Sequence, residues 1–292
     1  TVTGLTNDLL YDFSVTGEFA NSESGYAPFV SEKPGLPQIS LSPAAFNVSI
    51  NTDTVLQNLV VTNNGSRDLF VDIPQGMANT ALRCDGSYDY VYTADYAQHE
   101  GMTAFTLEAR VKRIGDGHFE FFSKNYRVWS MYISGTNYFG VYKGFDGSNT
   151  HYQSVGSGYF LPANEWHHLA VTWEGNDMWF YVDGVEVNHY TYAASDPVPT
   201  NFSYPVTLGR RADESQFLNG WMCEARIWDH VRTQEEIARY MNAEVDGNSP
   251  GLVGYWPLHE DYNDHSIYNV PYTTYGNVYL GSEITSDLDN IP

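Results

Sequence analysis

Apolar and polar residues alternate along most of this chain, and that period of two narrows its fold more than any other feature. In Phe105-Thr106-Leu107-Glu108-Ala109-Arg110-Val111-Lys112 every second side chain is apolar, which is the pattern of a strand with one buried face. Similar stretches follow in FEFFSK, VWSMYIS, YFGVYKG, EWHHLAVTWEG, DMWFYVDGVEVNHY and FLNGWMCEARIWDH, punctuated by Gly-Asp, Gly-Asn and Asp-Gly. Such pairs mark turns between strands. Val182-Asp183-Gly184-Val185 predicts a two-residue hairpin, because Asp-Gly populates the positive φ angles of a type I′ turn. One helix is expected. Thr233 caps it, Glu235 and Glu236 fill its first turn, and it runs about ten residues to near Asn242.

Composition agrees with an all-β chain carrying long polar loops. Its 23 Tyr, 15 Phe and 7 Trp make it 15% aromatic, and these residues favour strands. With 292 residues it suggests two domains, or one large β-domain with an appendix. Thirty-six acidic against fourteen basic side chains give a net charge of -22. A surface that negative repels nucleic acid and anionic lipid. No apolar run approaches the roughly 20 residues of a membrane span. No secretory leader pattern opens the sequence, as expected of a mature or excised fragment. Cys84 and Cys223 are too few for a disulfide scaffold or a cysteine zinc site, although they could form one bridge.

Before Met77 the stretches are shorter. Tyr11, Phe13 and Val15 alternate, and Leu5 ahead of this Tyr-bearing strand resembles the tyrosine corner of a fibronectin type III domain. ISLSPAAFNVSI, TVLQNLVVTNN and RDLFVDI, divided by NTDT and NNGS, resemble the opening strands of small immunoglobulin-like modules. The expectation is one small β-sandwich over residues 1–76, with two half-modules as the alternative.

From Met77 onward six segments, in order, resemble the laminin-G-like, or concanavalin A-like, jelly-roll family. They are ALRCDGSYDYV, AFTLEARVKR, EWHHLAVTWEG, FYVDGVEV, GWMCEARIW and GLVGYWPLHEDYNDHSIYN. The resemblance implies a jelly roll over residues 77–284 with one short helix, leaving 285–292 as a linker or tail. It further implies an extracellular binding module for a polysaccharide, a cell-surface glycan or a protein partner. Family members often hold calcium between the opening Asp-Gly loop and the closing Asp-x-Ser loop, which points to Asp85 and Asp264, with Asp89 beside them. The plain alternative is that these Asp residues form turns. Cys84 and Cys223 stand where the family usually has Phe and Asp. On strands that can share a sheet they imply a disulfide and an oxidising compartment; otherwise they are two buried thiols.

Catalysis is not expected. Jelly-roll glucanases carry Glu-x-Asp-x-x-Glu on one strand, and this string is absent. Glu120 and Glu224 each stand as a single strand carboxylate, to be read as solvated or salt-bridged, whereas retaining hydrolysis needs a pair about 5–5.5 Å apart. His167 and His168 are adjacent on a strand, so they face opposite sides and cannot share one ion without distortion. Trp129, Tyr138, Tyr142 and Phe145, interleaved with Asp146 and Asn149, offer the apolar faces and hydrogen-bonding groups that a sugar needs. Alternation turns about half of such a set toward the core. Arg210 and Arg211 follow a predicted strand and can meet an acidic sugar or local carboxylates. The reading is a non-catalytic binding module. A structural subunit or stalk of a surface adhesin, or an accessory region of a polysaccharide-degrading enzyme, are the alternatives.

Overall fold

The computed structural model describes residues 80–124, 128–144, 152–192, 204–211 and 215–281, with the backbone of short strands before Gly76. The chain divides between Gly76 and Met77 into two compact units. In the first, Tyr11–Phe13 pairs with Val30–Glu32 and Ile39–Ser42 with Val60–Asn63, both antiparallel. Beyond these ladders, the fibronectin- or immunoglobulin-like sandwich expected over 1–76 lies outside the described residues, as does the tail at 285–292.

The second unit is a sandwich of two antiparallel sheets. Its strands are β1 (Ala81–Asp85), β2 (Tyr90–Thr93), β3 (Ala104–Arg113), β4 (Phe119–Ser123) and β5 (Trp129–Ile133). Then come β6 (Tyr138–Gly144), β7 (Tyr152–Phe160), β8 (His167–Glu174), β9 (Asp177–Val182) and β10 (Val185–Thr191). The last are β11 (Thr207–Leu208), β12 (Asn219–Trp228), β13 (Leu252–Trp256), β14 (Tyr272–Tyr275) and β15 (Tyr279–Gly281). The first sheet runs β10-β9-β8-β3-β12-β1-β15, with β13 also bonded to β12, and the second runs β7-β6-β5-β4-β11-β2-β14. Among the described residues no helix is long and apolar enough to cross a membrane.

Alternation decides which side chains meet between the sheets. Phe105, Leu107, Ala109 and Val111 of β3 enter one core with Phe122, Trp129, Met131 and Phe139 of the opposite sheet. Phe139 meets Phe180 edge to face at 5.7 Å, and Phe105 lies 5.3 Å from Trp173. Each aromatic side chain buried here contributes about 1.5–3 kcal/mol.

The register rules out the expected disulfide. Cys84 is paired with Gly220 and Leu82 with Met222, so Cys223 lies three residues along β12 from the partner of Cys84. At a rise of about 3.3 Å per residue that is about 10 Å, beyond the roughly 7 Å that a disulfide can bridge. Both thiols are free and fully buried. Burial pushes both upward, Cys223 to about 12, so they act as small core fillers and say nothing of redox compartment.

The hairpin at Asp183-Gly184 forms with φ of +50° and +75°, as a type I′ turn requires. A Cβ on Gly184 would stand 2.8 Å from that of Ala238, so glycine here also lets helix α1 (Gln234–Tyr240) settle on the hairpin. Thr233 caps the helix in a full capping box with Glu236. The helix stops at Tyr240 rather than Asn242, and it buries Ile237 against Ala170 and Tyr181 on the outer face of the first sheet. Thr80 and His259 hold the entry to the sandwich: Thr80 Oγ1 donates to the His259 carbonyl at 2.5 Å, and His259 Nδ1 donates back to the Thr80 carbonyl at 2.6 Å. Ala81 and Gly281 are direct cross-strand partners.

Candidate functional site

The outer face of the second sheet is built by strand parity. Phe122 and Met131 are paired and point into the core, and Glu120 and Tyr132 are paired on the opposite face. A bulge between Glu120 and Phe122 brings both pairs into place. Tyr132 stands opposite Gly140 of β6, where any Cβ would collide with the Tyr132 ring. The ring therefore lies flat across β6, and its hydroxyl meets Ser154 Oγ at 2.7 Å. His118, from the turn before β4, stacks on Tyr132 at 5.3 Å and 28°, and lies parallel to Tyr142 at 6.3 Å and 7°.

Beside this aromatic group Glu120 is fully buried. Ser130 donates a hydrogen bond to it, and Arg211 Nη1 stands 3.5 Å from its second oxygen. Burial, helped by the Arg211 charge, lowers the pKa of His118, so the ring is neutral near pH 7 and can both donate and accept. A second aromatic group occupies the far end of the same face. Tyr90 of β2 stacks on Tyr275 of β14 at 4.6 Å and 12°, Arg210 lies 3.7 Å from the Tyr90 ring centroid, and Phe217 packs 5.0 Å from Tyr88. Tyr88 is 70% and Tyr275 46% exposed.

The outer face of the first sheet is closed instead. Beneath α1, Glu108 accepts from Trp228 Nε1 at 2.7 Å and Arg232 Nη1 at 2.8 Å, with Arg226 Nη1 at 3.6 Å and His168 Nε2 at 3.2 Å. Burial alone would raise its pKa, but Arg232, His168 and Arg226 outweigh it and hold the carboxyl well below the usual range. Next along β12 a bulge sets Glu224 at a φ of +54°. Its carboxylate accepts from Arg226, from Tyr255 Oη at 3.0 Å and from His259 Nε2 at 2.7 Å. Because His259 Nδ1 already donates to Thr80, both ring nitrogens are donors and the ring is an imidazolium. Burial opposes that charge, but the bond to Glu224 prevails and raises the pKa. Glu224, Glu244 and His259 bring ligand atoms within 4.8 Å of one another, yet the Glu224 oxygens are already held by these donors, so the group is an ion network.

The residues expected to bind a ligand scatter. Trp129 is a correction: it pairs with Lys143, and both point inward, Trp129 at 1% exposure in the core. Tyr142 and Arg211 lie on the outer face of the second sheet and are partly exposed. Arg210 is buried over Tyr90, and Tyr138 is exposed and meets Phe160 edge to face. Phe145, Asp146 and Asn149 lie outside the described residues. His118 and Glu120, at the centre of the face, were not among the expected ligand residues. The only sequence signal was the strand parity that places Glu120 beside Tyr132. His167 is structural: its Nδ1 is bonded to Asp183 at 2.7 Å.

Of the three carboxylates expected to bind calcium, Asp264 already has its oxygens occupied by the protein. Asp264 accepts from the amides of Tyr255, Ser266 and Val270 and from Ser266 Oγ, at 2.9–3.0 Å. That fills the roughly four acceptor positions of a carboxylate. Asp89 accepts from the amides of Asp85 and Asn277, and Asp85 from that of Ser87. All three close loops.

Residues 85–238 match the family model of the concanavalin A-like lectin/glucanase superfamily. The chain belongs to this superfamily. Its sandwich is similar to that of a carbohydrate-binding candidate from Bacteroides ovatus, with a TM-score of 0.58 at 17% identity, over 77% of this chain and 67% of that one. A heptameric SAP-like pentraxin from Limulus polyphemus aligns at 13% identity over 71% of this chain and 97% of its own, with a TM-score of 0.49. Domain 4 of an extracellular arabinanase from Geobacillus stearothermophilus, solved with arabinotriose, aligns at 18% identity over 54% and 74%, with a TM-score of 0.43. A search of curated proteins returns no match. At 17% identity the Bacteroides ovatus structure shows the fold alone, and function rests on this chain's own residues.

Proposed function

We propose that the jelly roll is a non-catalytic carbohydrate-binding module whose ligand lies on the outer face of the second sheet. The observation that carries this is the pair of partly exposed rings, His118 and Tyr142, backed by the buried Tyr132 and beside Glu120 and Arg211. Aromatic faces cover the apolar side of a pyranose, and the flanking imidazole, hydroxyl and guanidinium groups can bond its hydroxyls. Glu120 is buried and bonded to Ser130 and Arg211, which suits a group that fixes the arginine rather than one that attacks a glycosidic bond. A polysaccharide ligand puts the module in a secreted or cell-surface setting.

A glycan array followed by calorimetry on Tyr142→Ala tests this reading. Binding that weakens at least tenfold in the variant, and is unchanged by a calcium chelator, is the expected outcome. A protein that binds no glycan, or whose binding ignores Tyr142, would overturn the reading.

A further inference from the structure

At one end of the second sheet a lysine is shut away from water with two carboxyl groups. β11 lies between β4 and β2. Its register sets Leu208 opposite Phe122 and Val91, and Thr207 opposite Ser123 and Tyr92. Lys124 follows β4 and Asp95 follows β2, so both leave the sheet at the same end, on either side of β11. Phe122 faces the core, and parity turns Lys124 the same way. Its side chain is fully buried.

Lys124 Nζ donates to Asp95 Oδ1 at 2.7 Å and to the Tyr204 carbonyl at 2.7 Å. Glu100 Oε1, buried and without a hydrogen-bond partner among the described residues, stands 3.6 Å from the same nitrogen. A single turn, Ala97–His99, places Glu100. The buried His99 pins that turn by donating from Nε2 to the Val253 carbonyl at 2.8 Å, and Tyr96 and Trp256 pack edge-on to its ring. Burial raises the pKa of Glu100 against the pull of the Lys124 charge, and Asp95 adds to the rise, which suits a proton carrier.

We propose that Lys124 and Asp95 become joined by an amide bond between their side chains, with Glu100 carrying the proton. The ammonium first hands a proton to the Asp95 carboxylate along their hydrogen bond, leaving an amine and a carboxylic acid. The nitrogen lone pair then bonds to Asp95 Cγ as the carbonyl π pair moves onto its oxygen. Glu100 takes a second proton from the nitrogen and delivers it to the hydroxyl oxygen. The C–O bond breaks with its electron pair on that oxygen, which leaves as water, and the carbonyl re-forms. Nothing is oxidised or reduced. Asp95 is 33% exposed, so the water has a way out, and the amide N–H keeps the Tyr204 carbonyl as its acceptor. Free amines and acids do not condense in water, but fixed positions are worth about 10⁵–10⁸ M in effective concentration. A site closed to water also favours a neutral amide over buried charges. The product ties the exit of β2 to the exit of β4 across β11, between positions 29 apart in the sequence.

The experiment is the intact mass of the whole denatured chain, taken after purification and again after long incubation at neutral pH. The wild type should be lighter than its sequence by one water, and peptide mapping should find the segment bearing Asp95 joined to the one bearing Lys124. Lys124→Arg keeps the charge and should fold, as near-UV circular dichroism will show, yet carry the full mass of its own sequence. Glu100→Gln should form the bond at least tenfold more slowly. A wild-type mass equal to the sequence after incubation would overturn the proposal and leave the three groups as an ion network. A water loss that persists in Lys124→Arg would overturn it too, as the mark of a succinimide at an Asp-Gly pair such as Asp183-Gly184. Bonding at the wild-type rate in Glu100→Gln would overturn the role of Glu100.

Discussion

Two glutamates of this sandwich occupy equivalent positions and lead opposite lives. Glu108 and Glu120 each sit on the outer face of a sheet, and each is fully buried. Around Glu108, two arginines, an indole and an imidazole close in beneath α1, so the charge is locked inside the fold. Near Glu120 stand Ser130 and the partly exposed Arg211, with aromatic rings alongside. The difference shows what a jelly roll does with its two outer faces. The face that receives a lid can support a dense ion network, because every charge finds a partner. On the other face, among the described residues, the partly exposed side chains are Arg211, His118 and Tyr142, and they stand over buried Glu120 and Tyr132.

The largest expected effect is on the closed side. Glu108→Ala leaves Arg226 and Arg232 buried without their shared carboxylate, and should cost about 3–5 kcal/mol in urea unfolding. Glu120→Gln, by contrast, should lose far less stability and should weaken glycan binding. If the two substitutions proved equally destabilising, the comparison would fail. Ile237→Ala comes next. It removes the apolar anchor that holds α1 on Ala170 and Tyr181, with an expected loss of about 2–4 kcal/mol and no change in glycan affinity. Thr233→Ala strips the capping box, and thermal unfolding should register about 1 kcal/mol.

The last prediction is a slope rather than a level. His259 has a raised pKa in the folded protein, so its contribution is fully present below about pH 6.5. It should fade as pH climbs through the raised value. Glu108 and Glu224 are depressed, so theirs is present above about pH 4.3 and should fade as pH falls through the lowered values. Unfolding free energies across pH should flatten on the alkaline limb in His259→Gln and on the acid limb in Glu108→Gln. Unaltered slopes would mean the network is not titrating as described.

Much of the fold was legible because it is written locally. Asp183-Gly184 specifies its own turn, Thr233 and Glu236 specify their own cap, and the parity of β3 selects its own buried face. The site was less legible because it depends on register between distant strands. Alternation says that Trp129 and Ser130 face opposite ways, but not which one faces the core, and Trp129 proved to be a core residue. Likewise nothing near Cys84 reveals that its neighbour is Gly220 and not Cys223. Nothing near Glu120 reveals that Arg211 will stand beside it. Asp264 is the instructive middle case: the sequence marked an oxygen-rich loop correctly, and backbone amides, rather than an ion, turned out to occupy its oxygens.

The pairing of Ala81 with Gly281 has a mechanical meaning. The sandwich is entered at Ala81 and left at Gly281, neighbouring points on adjacent strands. Tension passed from the segment before Thr80 to the segment after Gly281 would bypass the two-sheet core. It would act first on the three cross-strand pairs joining β1 to β15, and would open them one at a time.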